Sequence, residues 1–207
     1  MGDFRRASPF FAFLVTVSRP VVRGLFRLRA IGLEHVPREG GFVVASNHVS
    51  NLDPWPLGLP LYPRQIHYMA KAELYRNAVL GWVLEKGEAF PVRRGERDAE
   101  AFKTAVRLAR EGGVIAMFPE GTRRTKGLRK KHRPEPHAGA ARIALAAGVP
   151  LVPAAITGTD RLSRLGPLRV AYGPPIELDG QAGTRHEAAK EATERLMREI
   201  ARLEATL

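Results

Sequence analysis

A chain of 207 residues is long enough to bury one substantial hydrophobic core and short enough to need only a single domain. It contains no cysteine, which excludes disulfide bridges, a thiol nucleophile and cysteine-ligated zinc, and leaves serine, carboxylate and histidine chemistry open. The formal net charge of +12 points to an anionic partner: nucleic acid, an acidic membrane surface or a phosphorylated substrate.

The amino-terminal stretch from Pro9 to Val17 is apolar and aromatic, but Ser18-Arg19-Pro20 interrupts it well short of the ~20 apolar residues a membrane-spanning helix needs. Beyond Pro20, Val21, Val22, Leu25, Phe26 and Leu28 alternate with Arg19, Arg23, Arg27 and Arg29, giving an apolar face flanked by arginine. Such a helix either docks on its own core or lies in the headgroup layer of a membrane, and the arginine flanks favour the second. No small-x-small cleavage site follows it, which argues against a signal peptide. The expected division is an amphipathic, interfacial segment over residues 1–30 and a folded domain over residues 31–207.

Next in the chain, the apolar run Phe42–Ser46 reads as a buried strand and leads into Asn47-His48-Val49-Ser50-Asn51-Leu52-Asp53. An imidazole placed near a carboxylate is the layout of a general base with its orienting acid. The neutral ring takes a proton from a hydroxyl, while the carboxylate fixes the tautomer and stabilises the imidazolium that forms. Small polar residues directly after a strand mark a strand-to-helix turn, where α/β proteins place ligands. Ser50 or Asn51 is also suited to cap the following helix, a purely structural use of the same residues.

Further strands are expected at Gln65–Ala70, Ala89–Val92, Val114–Phe118, Leu151–Ile156 and Leu168–Ala171. Helical patterns fall between and after them. Asp98–Arg110 is closed by Gly112-Gly113, Ala138–Ala147 ends at Gly148-Val149-Pro150, and a last helix opens on the capping-box sequence Thr184-Arg185-His186-Glu187 and runs through Ala192, Leu196, Ile200 and Leu203. This alternation predicts an α/β fold: one domain with a mixed, mostly parallel sheet flanked by helices. Trp55, Trp82, Met69 and Met117 sit among apolar neighbours and read as core or membrane-facing.

The run Val114 to Phe118 ends in Pro119-Glu120-Gly121-Thr122-Arg123, a second strand closed by a polar turn. If its strand lies parallel and adjacent to Phe42–Ser46, Glu120, Thr122 and Arg123 face His48 across a cleft. A third turn brings Arg93 and Arg94 to the same edge, and Lys71 follows the Gln65–Ala70 strand. Arginine grips phosphate bidentately and lysine serves as a point charge. After Arg123 the loop stays basic, with Arg123, Arg124, Lys126, Arg129, Lys130, Lys131 and Arg133 within eleven residues.

Taken in order, Asn47-His48-x-Ser50-x-x-Asp53, Ala89-Phe90-Pro91-Val92-x-Arg94, Phe118-Pro119-Glu120-Gly121-Thr122-Arg123 and Val149-Pro150-Leu151-Val152-Pro153 resemble the four motifs of the glycerophospholipid acyltransferases, most closely the bacterial 1-acylglycerol-3-phosphate acyltransferases. The resemblance covers about Gly32 to Pro175. It implies His48 as the base that deprotonates the free hydroxyl of a lysophospholipid and Asp53 as its orienting partner. Lys71, Arg94, Glu120, Gly121, Thr122 and Arg123 are then the acceptor-binding residues. The implied reaction moves an acyl group from acyl-CoA or acyl carrier protein, as co-substrate, to lysophosphatidate, giving phosphatidate with no cofactor and no metal. The implied setting is the anionic, cytoplasmic face of the cell membrane, held in a peripheral or monotopic manner. Two departures are visible: Arg124 stands where the family often has serine, and Glu88 where glycine is frequent.

Two other readings fit parts of the chain. A basic nucleic-acid-binding protein would use the Arg123–Arg133 cluster, yet the chain carries no recognisable reading module and no aromatic interleaving in that loop, so no nucleic-acid partner is expected. A serine hydrolase using Ser46 or Ser50 lacks the Gly-x-Ser-x-Gly elbow.

Overall fold

The computed structural model describes residues 4–93, 98–121, 136–178 and 184–207, leaving aside the side chains of residues 163 and 164. Among these residues, seven strands form one sheet: β1 (Arg29–Ile31), β2 (Phe42–Ser46), β3 (Ile66–Lys71), β4 (Phe90–Val92), β5 (Val114–Met117), β6 (Leu151–Thr157) and β7 (Arg169–Tyr172), in the order β1-β7-β6-β2-β5-β3-β4. All neighbours are parallel except β6 and β7. The mixed, mostly parallel sheet expected from the alternating pattern is therefore present.

The unbroken apolar runs follow from burial on both faces. In β2 every residue is buried, and alternation sends Val43 and Ala45 to one core and Phe42 and Val44 to the other. The first core is completed by α4 (Ala99–Arg110), α5 (Gly139–Ala147) and α6 (Arg185–Glu204), which contribute Ala105, Ala109, Ile143, Ala144, Leu196 and Ile200. The opposite face is covered by α2 (Pro54–Gly58), with Leu57 beneath it, and then by α1 (Pro9–Gly24). A further helix, α3 (Ala78–Lys86), lies between β3 and β4 in the chain.

Helix ends are set by local chemistry. Asp98 accepts from the Ala101 backbone N–H to cap α4, and Thr184 and Glu187 form the reciprocal capping box of α6. Gly148 closes α5 in the left-handed region at φ 69°. Ser50 and Asn51 do not cap α2. Its cap position is Asp53, whose side chain is engaged elsewhere, and Ser50 Oγ accepts instead from the Leu52 N–H at 3.3 Å.

Ser18-Arg19-Pro20 breaks the apolar run as expected but does not break the helix, because α1 continues through Pro20 to Gly24. Packing outweighs the lost backbone hydrogen bond: Val15, Val22 and Phe26 are buried against Leu59 and Leu168. The opposite side of the same segment leaves Phe13, Leu14, Val17, Val21 and Leu25 exposed. Docking on the core and presenting an apolar outer face thus coexist on different sides of one helix. Among the described residues no helix is long and apolar enough to cross a membrane.

Before α1, residues 4–8 strap the start of β3. Gln65 N donates to Arg5 O at 2.8 Å, and Arg5 N donates to Gly112 O at 3.1 Å. The buried Arg64 guanidinium lies over the rings of Phe4 and Phe42 and donates to the carbonyls of Pro37 and Gly40.

Candidate active site

The parallel register of β2 with β5 and β6 aligns Val44 with Ala116 and with Val152, so the carboxyl ends of the three strands open on one edge of the sheet. Asn47, the residue after β2, is fully buried and clamps this edge. Its Nδ2 donates to Ile156 O at 2.9 Å, and its Oδ1 accepts from Ile156 N at 2.8 Å. The chain then turns out of the sheet with its direction fixed.

Within that turn His48 Nδ1 lies 2.7 Å from Asp53 Oδ2. The same oxygen accepts from the backbone N–H groups of Val49 at 2.6 Å and Ser50 at 2.8 Å. Oδ1 accepts from Thr159 Oγ1. Asp53 is fully buried, and these donors supply what an ionised carboxylate needs in that position. Because an ionised carboxylate only accepts, Nδ1 carries the hydrogen and the lone pair of Nε2 is left for chemistry. The His48 ring stacks on Phe118, with centroids 4.3 Å apart and planes 19° apart, and its side chain is 11% exposed.

Of the other residues singled out, Glu120 is buried just after β5, and Gly121 follows it at φ 63°. That backbone conformation suits glycine. A Cβ there would also come within 2.8 Å of His137. Lys71 closes β3 on the same edge and is exposed. Arg94, Thr122 and Arg123, together with the rest of the basic loop to Arg133, lie outside the described residues.

Beside the turn, α1 and α2 enclose an apolar cavity of about 230 Å³, walled by Phe11, Leu14, Val15, Trp55 and Leu59 with Tyr68 at its side. Trp55 is two residues beyond Asp53. Tyr68 donates to Pro54 O at 2.6 Å, and burial pushes its phenol well above the usual range, so it stays protonated.

Sequence reasoning missed Asn47 as the clamp, Phe118 as the stacking partner and Thr159 as a donor to Asp53. Phe118 was legible as a strand end but not as a ring beneath His48. Thr159, 106 residues from Asp53, had no local signal at all.

Residues 27–157 match the Acyltransferase family. The 1-acyl-sn-glycerol-3-phosphate acyltransferase of Bacillus subtilis is 37% identical over 181 residues, which is 84% of this chain and 86% of that protein. The protein of the same name from Streptococcus pneumoniae is 27% identical over 81% of this chain, which spans 62% of its length. The crystal structure of the 1-acyl-sn-glycerophosphate acyltransferase PlsC from Thermotoga maritima shares the fold, with a TM-score of 0.66 at 24% identity, over 94% of this chain and 81% of that one. Since the matched span runs from before β1 to the last residue of β6, taking in the His48–Asp53 turn and the strands on either side of it, this chain belongs to the Acyltransferase family.

Proposed function

We propose that this O-acyltransferase moves a fatty acyl group from a thioester donor, acyl-CoA or acyl carrier protein, to the free hydroxyl of 1-acylglycerol 3-phosphate, giving phosphatidate. The observation that carries the reading is the His48–Asp53 pair, with its imidazole held through Nδ1 by a buried carboxylate and Nε2 without a partner among the described residues. The names of the similar proteins support the choice of acceptor.

In this mechanism Nε2 of His48 takes the proton of the acceptor hydroxyl as its oxygen attacks the thioester carbonyl. Asp53 stabilises the imidazolium, and stacking on Phe118 holds the ring plane during transfer. The tetrahedral intermediate collapses by breaking the carbon–sulfur bond, and the leaving thiolate receives the proton from His48. No acyl-enzyme is required. The Val49 and Ser50 amides, well placed to bind an oxyanion, are spent on Asp53, so stabilisation of that charge falls to other donors on the edge. Lys71, Arg94 and Arg123 are assigned to the acceptor phosphate, and Glu120, Gly121 and Thr122 to the turn that shapes its site.

The enzyme is further proposed to work at an anionic membrane surface, on its cytoplasmic face. The apolar outer side of α1 and the net charge of +12 support this setting.

The test is thiol release from palmitoyl-CoA with and without 1-acylglycerol 3-phosphate, run beside His48→Ala. Acceptor-dependent release that disappears in the variant is expected. Release that ignores the acceptor would make the protein a thioesterase, and wild-type turnover by His48→Ala would remove His48 as the base.

A further inference from the structure

We propose that Thr159 is a positioning residue for the acyl transfer: its hydroxyl holds the second oxygen of Asp53 and, through that carboxylate, sets the orientation and basicity of the His48 imidazole. The inference rests on the reading of His48 as the base.

The geometry is specific. Three donors crowd onto Oδ2 of Asp53: His48 Nδ1, Val49 N and Ser50 N. These leave Oδ1 to Thr159 Oγ1, its one donor among the described residues. Asp53 is fully buried and Thr159 is 3% exposed, so water does not readily replace the hydroxyl. An ionised carboxylate cannot donate, hence the hydroxyl must, and its direction fixes the carboxylate plane about the Cβ–Cγ bond.

The backbone is arranged to deliver this contact. Thr159 opens the short 3-10 turn Thr159–Arg164 directly after β6 and Gly158. Gly158 adopts φ 93°, and a Cβ there would come within 2.4 Å of the Pro167 carbonyl, so the reversal that turns Thr159 back toward Asp53 requires glycine. Three residues earlier Ile156 is clamped by the Asn47 side chain. The turn carrying the base and the turn carrying Thr159 are thus joined twice, once through Asn47 and once through Asp53.

Removing the hydroxyl has two consequences of known sign. The carboxylate gains rotational freedom, so the imidazole spends less time aligned with the acceptor hydroxyl. Negative charge formerly shared with Thr159 concentrates on the carboxylate, which strengthens its hold on the imidazole N–H and favours the imidazolium.

The experiment uses the full chain, palmitoyl-CoA and 1-acylglycerol 3-phosphate, and compares wild type with Thr159→Val and Thr159→Ser. Thr159→Val keeps the shape and loses the donor. It is expected to lower kcat by about tenfold or more, leave KM for the acceptor within about twofold, and move the acid limb of the kcat/KM profile to higher pH. Thr159→Ser restores the donor, and with it turnover and the wild-type limb. A Thr159→Val enzyme with unchanged kcat and unchanged limb would overturn the proposal. So would a Thr159→Ser enzyme as impaired as the valine variant, since packing of the methyl group would then be what matters. Wild-type enzyme without acceptor-dependent release would instead refute the acyltransferase reading itself, before either variant is compared.

Discussion

Two buried histidines meet the cost of burial differently. His48 is paired with a carboxylate that itself has every donor it needs. His67, 1% exposed in β3, donates from Nδ1 to Glu88 O at 3.0 Å, while its Nε2 has no partner among the described residues. Burial lowers the His67 pKa below its ordinary value, and nearby Arg5 acts in the same direction against Glu88 and Glu111. Between the folded and unfolded values the unfolded chain binds more protons. Stability from this group is therefore complete above the ordinary histidine pKa of about 6.5 and is lost as pH falls below it, down to the folded value. His67→Asn keeps a donor toward Glu88 without a titrating ring, and its melting temperature should fall less than that of wild type between about pH 7.5 and about pH 5.5. Parallel curves for the two proteins would show that His67 is not the group responsible. The contrast also marks the limit of sequence reading at this scale. The pairing of His48 with Asp53 was legible because a turn of only four residues separates them, whereas Thr159 reaches Asp53 only after the chain has crossed the sheet.

Elements were legible where burial dictated composition. The buried strands β2, β5 and β6 read as apolar runs to within about a residue of their ends, and the α6 capping box was written in Thr184 and Glu187. β1 was missed because three residues, two of them exposed, continue an arginine-rich pattern that looked helical. The helix expected after the His48 turn is present as the short α2, with Asp53 rather than Ser50 or Asn51 at its cap position, whereas α3, capped by Asn77, was not among the expected helices. What holds α6 in place follows from comparing magnitudes. Thr184→Ala removes an exposed cap and should cost about 1 kcal/mol. Leu196→Ala opens a cavity where Leu196 is fully buried with Ala189, Ala192 and Ile200 in the core, and should cost about 2–5 kcal/mol. Urea denaturation ranks the two directly. If Thr184→Ala proved the costlier, capping rather than packing would hold α6.

At the scale of the molecule, charge and exposed apolar surface must be considered together. On the proposed membrane setting, a net charge of +12 would favour approach to an anionic surface without orienting the protein on it. Orientation would require an apolar face, and α1 is the candidate: Phe13 is 61% and Val17 is 56% exposed, with Leu14, Val21 and Leu25 beside them. α3 adds to this surface, because Trp82 is exposed and meets Phe10 edge-on at 5.3 Å. The two contributions separate by experiment. Attraction of arginine to anionic headgroups is screened within about 10 Å at 0.1 M salt, whereas burial of apolar side chains in lipid is not. Sedimentation with phosphatidylglycerol-containing vesicles should therefore weaken as salt rises, and pure phosphatidylcholine vesicles should bind less at every salt concentration. The double substitution Phe13→Ser with Val17→Ser should reduce the binding that survives high salt. It should leave the melting temperature unchanged, because Val15, Val22 and Phe26 still dock the helix. Equal binding to neutral and anionic vesicles would reject the electrostatic contribution. Undiminished high-salt binding by the double variant would mean that α1 is not the face that meets the lipid.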